Sequence, residues 1–243
     1  MAEKKQGIHC IAVLSDTHSL LRPEIKQVLK GCEVILHGGD IASSMTYDEL
    51  DAIAPAYFVR GNADEEWSAE TWPQEEREAN LPLERDLELY GFHFYMTHKK
   101  KNIRQDLSGV DVVIYGHSHK YAANTEGGTL YLNPGSCGPR RFTQPITMAV
   151  MKVDEGEHNY TVERIDLQQE PKAGDKELPD AARDMDKLIR AIMKDMKANR
   201  TVDRIAGRNK VSVEFVNQIL QIYTTHPGID VDGILNRMDI WGK

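Results

Sequence analysis

The stretch "VIYGHSHKY", residues 113–121, poses the question on which the fold turns. An apolar run ends at Gly116, and His117 and His119 follow with one residue between them. Alternation along a strand puts residues i and i+2 on one face, so the spacing lets both imidazoles converge. A His-x-His pair on its own fits two metal ligands, and it also fits two ordinary histidines at a strand end. Its meaning depends on what the rest of the chain can bring to meet it.

Upstream, strands and helices alternate. "IHCIAVLSD" (8–16) is a buried strand by its nearly continuous apolar run. "RPEIKQVLKG" (22–31) reads as a helix with Pro23 at its start and Gly31 past its end. "CEVILHGGD" (32–40) is the next strand, and "SSMTYDELDAIA" (43–54) the next helix, opened by capping serines. "AYFVRGNAD" (56–64) is a third strand running into a loop. "DLELYGFHFYMTH" (86–98) is a hairpin about Tyr90-Gly91. "NIRQDLSG" (102–109) reads as a short helix, "VDVVIYGHSH" (110–119) and "GGTLYLNPGS" (127–136) as strands. "PITMAVMKV" (145–153) and "HNYTVERID" (158–166) make a last hairpin turned at "DEGE". The order βαβαβ followed mostly by strands predicts an α/β fold with helices outside mixed sheets.

The strand ends carry the chemistry. "SDTH" supplies Asp16 and His18, "GGD" Asp40, "GNAD" Asn62 and Asp64, "MTH" His98, and "GHSH" His117 and His119. Ligands bind at the carboxyl edge of open α/β sheets. Five strand ends delivering Asp, His or Asn to one edge predict a shared metal site, although each residue alone reads as a turn or surface residue. No cysteine stands at these positions, which argues against structural zinc. Carboxylate, imidazole and amide oxygen suit manganese, iron or catalytic zinc. Seven donors exceed what one such ion takes, so two ions sharing a carboxylate fit better.

The order DxH, GD, GN, H, GHxH resembles that of the calcineurin-like metallophosphoesterases. "VRGNAD" (59–64) and "LNPGS" (132–136) resemble the small bacterial and archaeal phosphodiesterase branch. The resemblance covers about residues 8–165 and implies a four-layer α/β/β/α sandwich with a two-metal site at the sheet edge. By position, it implies that Asp16, His18, Asp40 and His119 hold one ion. Asp40, Asn62, His98 and His117 would hold the other, with Asp40 bridging. Asp40, Asn62 and His98 are also the implied catalytic residues. The implied cofactors are two divalent cations, manganese first, with iron, zinc, nickel or magnesium as alternatives. The implied reaction is in-line attack of a metal-bound hydroxide on phosphorus. Imidazoles bind metal only when neutral, so activity is expected to fall in acid.

Two positions depart from the family pattern. Many relatives have a histidine after GN, thought to act on the leaving group, whereas this chain has Ala63. Where many read HGH, this chain reads His98-Lys99-Lys100, a solvated charge run in the bland reading. Asp64 is expected to orient the Asn62 loop. Arg60, Arg140 and Arg141 are candidate phosphate clamps, with structural roles equally open. "DEEWSAETWPQEEREANLP" (64–82) carries seven acids and two tryptophans. Those rings either wall a substrate cleft or pin a surface loop.

The whole chain sets outer bounds. At 243 residues it suits a domain of 1–167, a polar linker at 168–179 and an all-helical piece at 180–243. "MAEKKQGIHCIAVLSD" reads as a first strand, not a signal peptide, and no apolar run reaches a membrane span. Cys10, Cys32 and Cys137 are far apart in sequence, so no disulfide framework is indicated. A reduced cytoplasmic protein is the expectation. Residues 180–243 hold 11 Lys and Arg against 9 Asp and Glu, and the rest 19 against 29. An acidic body argues against non-specific nucleic-acid binding there. "DRIAGRNKVSVEFVNQIL" (203–220) has helix-turn-helix spacing, with Lys210 at the usual turn glycine. Its second helix has few base-reading side chains, so packing or dimerisation is the preferred reading over DNA binding. The expected partner is a small phosphate ester, with a homo-oligomer open. The rival functional reading is a non-catalytic scaffold, as in the family's retromer subunit.

Overall fold

The fold is seen in a computed structural model that describes residues 7–139, 144–167, 185–198, 200–226, 229, 231, 233–234 and 237–238. The chain forms two units, the described residues up to 139 with 145–167, and those from 185 onward. The expected linker, Arg140 and Arg141 lie outside the described residues.

Period-two alternation explains the first unit. Along β1 (Ile8–Leu14), Ile11 and Val13 enter one core, and Ala12 and Leu14 enter another. Strand β2 (Val34–His37) divides in the same way, Val34 and Leu36 on one side and Ile35 on the other. β1, β2 and β3 (Ala56–Phe58) run parallel, joined by α1 (Pro23–Leu29) and α2 (Ser44–Asp51). β9 (Ile146–Asp154) and β10 (Asn159–Leu167) pair antiparallel on the far side, giving the order β10-β9-β1-β2-β3. Ile25 and Leu29 of α1 and Leu50 of α2 cover the outer face of this sheet.

A second sheet has the order β4-β5-β6-β8-β7. Its strands are β4 (Glu84–Leu89), β5 (Phe92–Thr97), β6 (Val112–Ile114), β7 (Tyr121–Glu126) and β8 (Thr129–Pro134). Phe94, Met96, Val112, Ile114 and Leu132 pack against Ile11, Val13 and Leu36, so the main core lies between the sheets. Each such side chain contributes about 1.5–3 kcal/mol by burial. The architecture is the expected one of sheets with helices outside, followed by a small helical part.

Three local expectations are corrected. Residues 102–109 do not form an α-helix, and only a 3-10 turn at Lys100–Asn102 forms. Arg104 Nε donates to the Asp106 carbonyl and Asp106 Oδ1 accepts from Ser108 N, side-chain bonds that compete with helix bonds. The acidic stretch after Asp64 is not a loop but two helices, α3 (Glu65–Thr71) and α4 (Gln74–Asn80). Glu65, Glu66, Glu75 and Glu76 fill their first turns, where the helix dipole favours negative charge. Strand β7 forms where the sequence pattern predicts none: "YAANTE" is a mostly exposed edge strand without apolar alternation, paired to β8 and anchored at its start by Tyr121, which packs on the main core.

The second unit contains α5 (Met185–Lys197), α6 (Val202–Asn209) and α7 (Val213–Thr225). Ile189, Ile192, Ile205, Ala206, Val216 and Ile219 form its core. Lys210 takes the left-handed conformation, φ 53°, that a turn glycine would adopt freely. Ser212 caps α7 by accepting from Phe215 N. Asp195 gathers Arg200, Arg208 and Asn209. α7 has no lysine or arginine, and it exposes Glu214, Asn217 and Gln221.

Candidate metal centre

Six of the donors from the strand ends of the first unit come together in two groups. Asp16, His18 and His119 offer ligand atoms within 4.8 Å of one another, and so do Asp40, His98 and His117. The histidines of "GHSH" thus divide between two groups. β6 ends at Ile114, so strand alternation is not what places them. Both lie in the loop beyond, with φ of 69° at His117 and 55° at His119. Asp16, His18 and Asp40 also have positive φ. Such backbone is uncommon outside glycine and gathers where a site demands it.

Asp40 Oδ2 lies 3.7 Å from His18 Nε2 and 3.3 Å from His98 Nε2, between the two groups. His119 Nε2 is 3.1 Å from Asp16 Oδ1 and 3.4 Å from His18 Nε2. The His98 and His117 ring centroids are 5.2 Å apart. Asp16 Oδ1, Asn62 Oδ1 and His98 Nε2 are buried and lack a hydrogen bond of acceptable geometry. Native interiors rarely tolerate such orphans, and a cation at each donor group would satisfy Asp16 Oδ1 and His98 Nε2. The donor set therefore fits divalent metal.

Behind the donors, a second set of bonds fixes their direction. Ser15 Oγ and His117 N donate to Asp16 Oδ2, turning Oδ1 toward the histidines. Ala63 N donates to Asp40 Oδ1, leaving Oδ2 for the site. His98 Nδ1 is 2.7 Å from the Gly38 carbonyl. A carbonyl only accepts, so Nδ1 carries the proton and Nε2 faces the centre. Asn133, in the "LNPGS" turn, donates to the Gly116 carbonyl and to Ser118 Oγ, steadying the histidine loop. A side chain at Gly116 would overlap Ser15 Oγ.

Electrostatics follow from burial and proximity. Burial alone would raise the Asp40 carboxyl, but the His98 and His18 imidazoles and the Ala63 N–H hold it well below the carboxylate range. Burial likewise opposes ionisation of Asp16, and His119 outweighs it and keeps that carboxyl low. Burial would lower His98, yet Asp40 and Asp16 pull it up to about 9. His37, buried beside the site, is pushed down to about 3 by burial and stays neutral. It bonds Thr17 Oγ1 and the Gly39 N–H, a supporting role that the "ILHGGD" pattern did not single out.

The remaining candidates fall elsewhere. Asp64 Oδ2 accepts from Asp40 N and Gly61 N, and its Oδ1 from Ala42 N and Trp67 Nε1, so it ties the Asp40 and Asn62 loops together. Arg60 is buried and pairs with Glu65 (3.3 Å) and Glu78 (2.9 Å). Its charge is met by α3 and α4, which gives it a structural role. Trp67 and Trp72 pack on each other and on Tyr47, whose ring lies tilted against Phe58. They pin the two acidic helices to the sheet. Lys100 Nζ sits over the Tyr115 ring. Among the described residues, no helix is long and apolar enough to cross a membrane.

Comparison with known proteins agrees with this geometry. Residues 10–156 match the calcineurin-like phosphoesterase superfamily domain. A probable metallophosphoesterase of Methanothermobacter thermautotrophicus is 31% identical over 158 residues, 59% of this chain and 86% of that protein. A phosphodiesterase of Methanocaldococcus jannaschii is 30% identical over 139 residues, 52% of this chain and 83% of its own. A solved archaeal phosphodiesterase superimposes with a TM-score of 0.50 at 26% identity, over 65% of this chain and 99% of that one. Vacuolar protein sorting 29 of Cryptosporidium parvum gives a TM-score of 0.50 at 17% identity over 67% and 99%, a likeness of fold alone. Through residues 10–156, the chain belongs to the calcineurin-like phosphoesterase superfamily.

Proposed function

We propose that the protein is a metal-dependent phosphodiesterase acting on a small phosphate ester with two divalent cations, manganese first. The observation that carries this reading is Asp40 Oδ2, which faces His18 of one donor group and His98 of the other. When bound, the cations would activate a water for attack on phosphorus and offset charge developing on the phosphoryl oxygens. Asp16, His18 and His119 would hold one, and Asn62, His98 and His117 the other, with Asp40 shared. The chain's own part is positioning. Ser15, Gly38 and Ala63 aim the donors, and Asp64 keeps the Asp40 and Asn62 loops in register.

Ala63 limits the chemistry. A methyl group cannot donate a proton to a leaving oxygen, so esters with acidic leaving groups, such as aryl diesters, are favoured substrates. The rival reading, a scaffold on the same fold, has the likeness to vacuolar protein sorting 29 behind it. The orphaned Asp16 Oδ1, Asn62 Oδ1 and His98 Nε2 support a metal-loaded site, which the catalytic reading needs.

The deciding experiment supplies manganese to purified protein, counts bound metal and measures hydrolysis of a bis-aryl phosphate beside monoesters. Two ions per chain and diester turnover abolished in Asp40→Asn are expected. No bound metal and no turnover would favour the scaffold.

A further inference from the structure

Sequence spacing argued against a disulfide, yet Cys10 Sγ and Cys32 Sγ lie 2.9 Å apart. Topology explains the contact. β1 and β2 are parallel neighbours, paired from Ile11 and Val34, and α1 returns the chain between them. Glu33 N donates to the Cys10 carbonyl at 2.8 Å, and Cys10 N to Glu33 Oε1 at 3.3 Å. The backbones are clamped where the thiols face each other. Both side chains lie on the helix-covered face of the sheet. Cys10 is half-buried, Cys32 is 9% exposed, and Cys137 is fully buried.

We propose that Cys10 and Cys32 form a reversible intramolecular disulfide when the protein meets a low-molecular-weight disulfide of the glutathione class. Cys10, the more exposed, loses its proton to solvent and attacks one sulfur of the oxidant. The oxidant's S–S bond breaks, one thiol leaves, and Cys10 carries a mixed disulfide. Cys32 then loses its proton and attacks Cys10 Sγ, releasing the second thiol. Two protein thiols are oxidised by two electrons, and one small disulfide is reduced to two thiols. Burial, with the Cys10 contact adding to it, pushes the Cys32 thiol up to about 12, which leaves the first attack to Cys10.

The bond would close a loop holding "SDTH" and α1. It sits near the start of β1, four residues before the strand ends at Leu14, or about 13 Å along it, with Asp16 beyond that end. It therefore stabilises the sheet without blocking the metal centre. This inference does not depend on the proposed activity.

The test incubates the folded full-length chain with oxidised glutathione, quenches free thiols and maps peptides by mass. A Cys10–Cys32 linkage, a rise in Tm of roughly 5–10 °C and reversal by dithiothreitol are expected. The linkage should persist in Cys137→Ser, and Cys32→Ser should stop at a stable mixed disulfide on Cys10. Three outcomes overturn the proposal: both thiols stay free, wild-type Cys10 stops at the mixed disulfide, or linkage appears only in urea.

Discussion

Replacing Asp64 by Asn tests how the site is held, because it changes one atom at a position with no solvent exposure. All four groups facing this carboxylate are donors: Asp40 N at 2.8 Å, Gly61 N at 2.8 Å, Ala42 N at 2.8 Å and Trp67 Nε1 at 2.9 Å. An asparagine keeps one oxygen, which serves two of them. Its NH₂ group then points at the other two donors, whichever way the amide is turned. Two hydrogen bonds to a charged acceptor are lost, at about 1.5–3 kcal/mol each, or about 3–6 kcal/mol. Part is returned, because burial and the Asp40 charge both push the Asp64 carboxyl upward and the amide relieves that strain. A net loss of about 2–5 kcal/mol is expected, a large share of the 5–15 kcal/mol of a typical domain.

Urea unfolding of the metal-free protein is the assay, with a lower midpoint at unchanged slope as the readout. Trp67→Phe removes one donor to this carboxylate and part of a packed ring, and should cost at least about 1.5–3 kcal/mol. Titration calorimetry should show weaker manganese binding in Asp64→Asn, because the loops bearing Asp40 and Asn62 lose their tie. A stability change under about 1 kcal/mol together with unchanged manganese affinity would refute the reasoning.

Other outcomes follow from the same geometry. Asp40→Asn should lower bound manganese below the wild-type count and cut diester turnover by at least about a hundredfold, read by metal analysis and initial rates. The raised pKa of His98, about 9, gives the metal-free fold stability that is full below about 6.5 and lost as pH rises through 9. A metal must displace that proton, so manganese affinity should climb with pH up to about 9. Calorimetry in two buffers of different ionisation enthalpy should show release of about one proton near neutral pH, and no release would count against the assignment. Gly116→Ala forces Ser15 Oγ aside and crowds Asp16 Oδ2, so metal binding should weaken while circular dichroism stays native. In the helical unit, Ser212→Ala removes the bond to Phe215 N and should cost about 1 kcal/mol in thermal unfolding.

Much of this was legible in sequence because it is periodic or local. The apolar runs of β1 and β2 declare buried strands, and Pro23 and Ser43 open the helices the pattern predicts. Strand ends bearing Asp, His and Asn predicted a shared site. Where side chains or pairing decide, local reading failed. Arg104 and Asp106 bond their own loop and displace a helix, whereas the acid-rich segment after Asp64 forms two helices pinned by tryptophans. β7 is placed by pairing to β8 and by Tyr121 on the core, contacts with residues that no local pattern in β7 announces.

By itself, then, the sequence determined the buried strands, the helices between the first of them and the strand-end residues whose chemistry suits metal. Those depend on side-chain period and residue chemistry, which a linear string carries. Only the tertiary structure decided that His117 and His119 divide between two donor groups from a loop in left-handed backbone. It alone turned Arg60 toward Glu65 and Glu78, made Asp64 the tie between two loops, and set Cys10 against Cys32. These are contacts between segments distant in sequence. Their geometry comes from sheet registry and packing, which no local window of the chain contains.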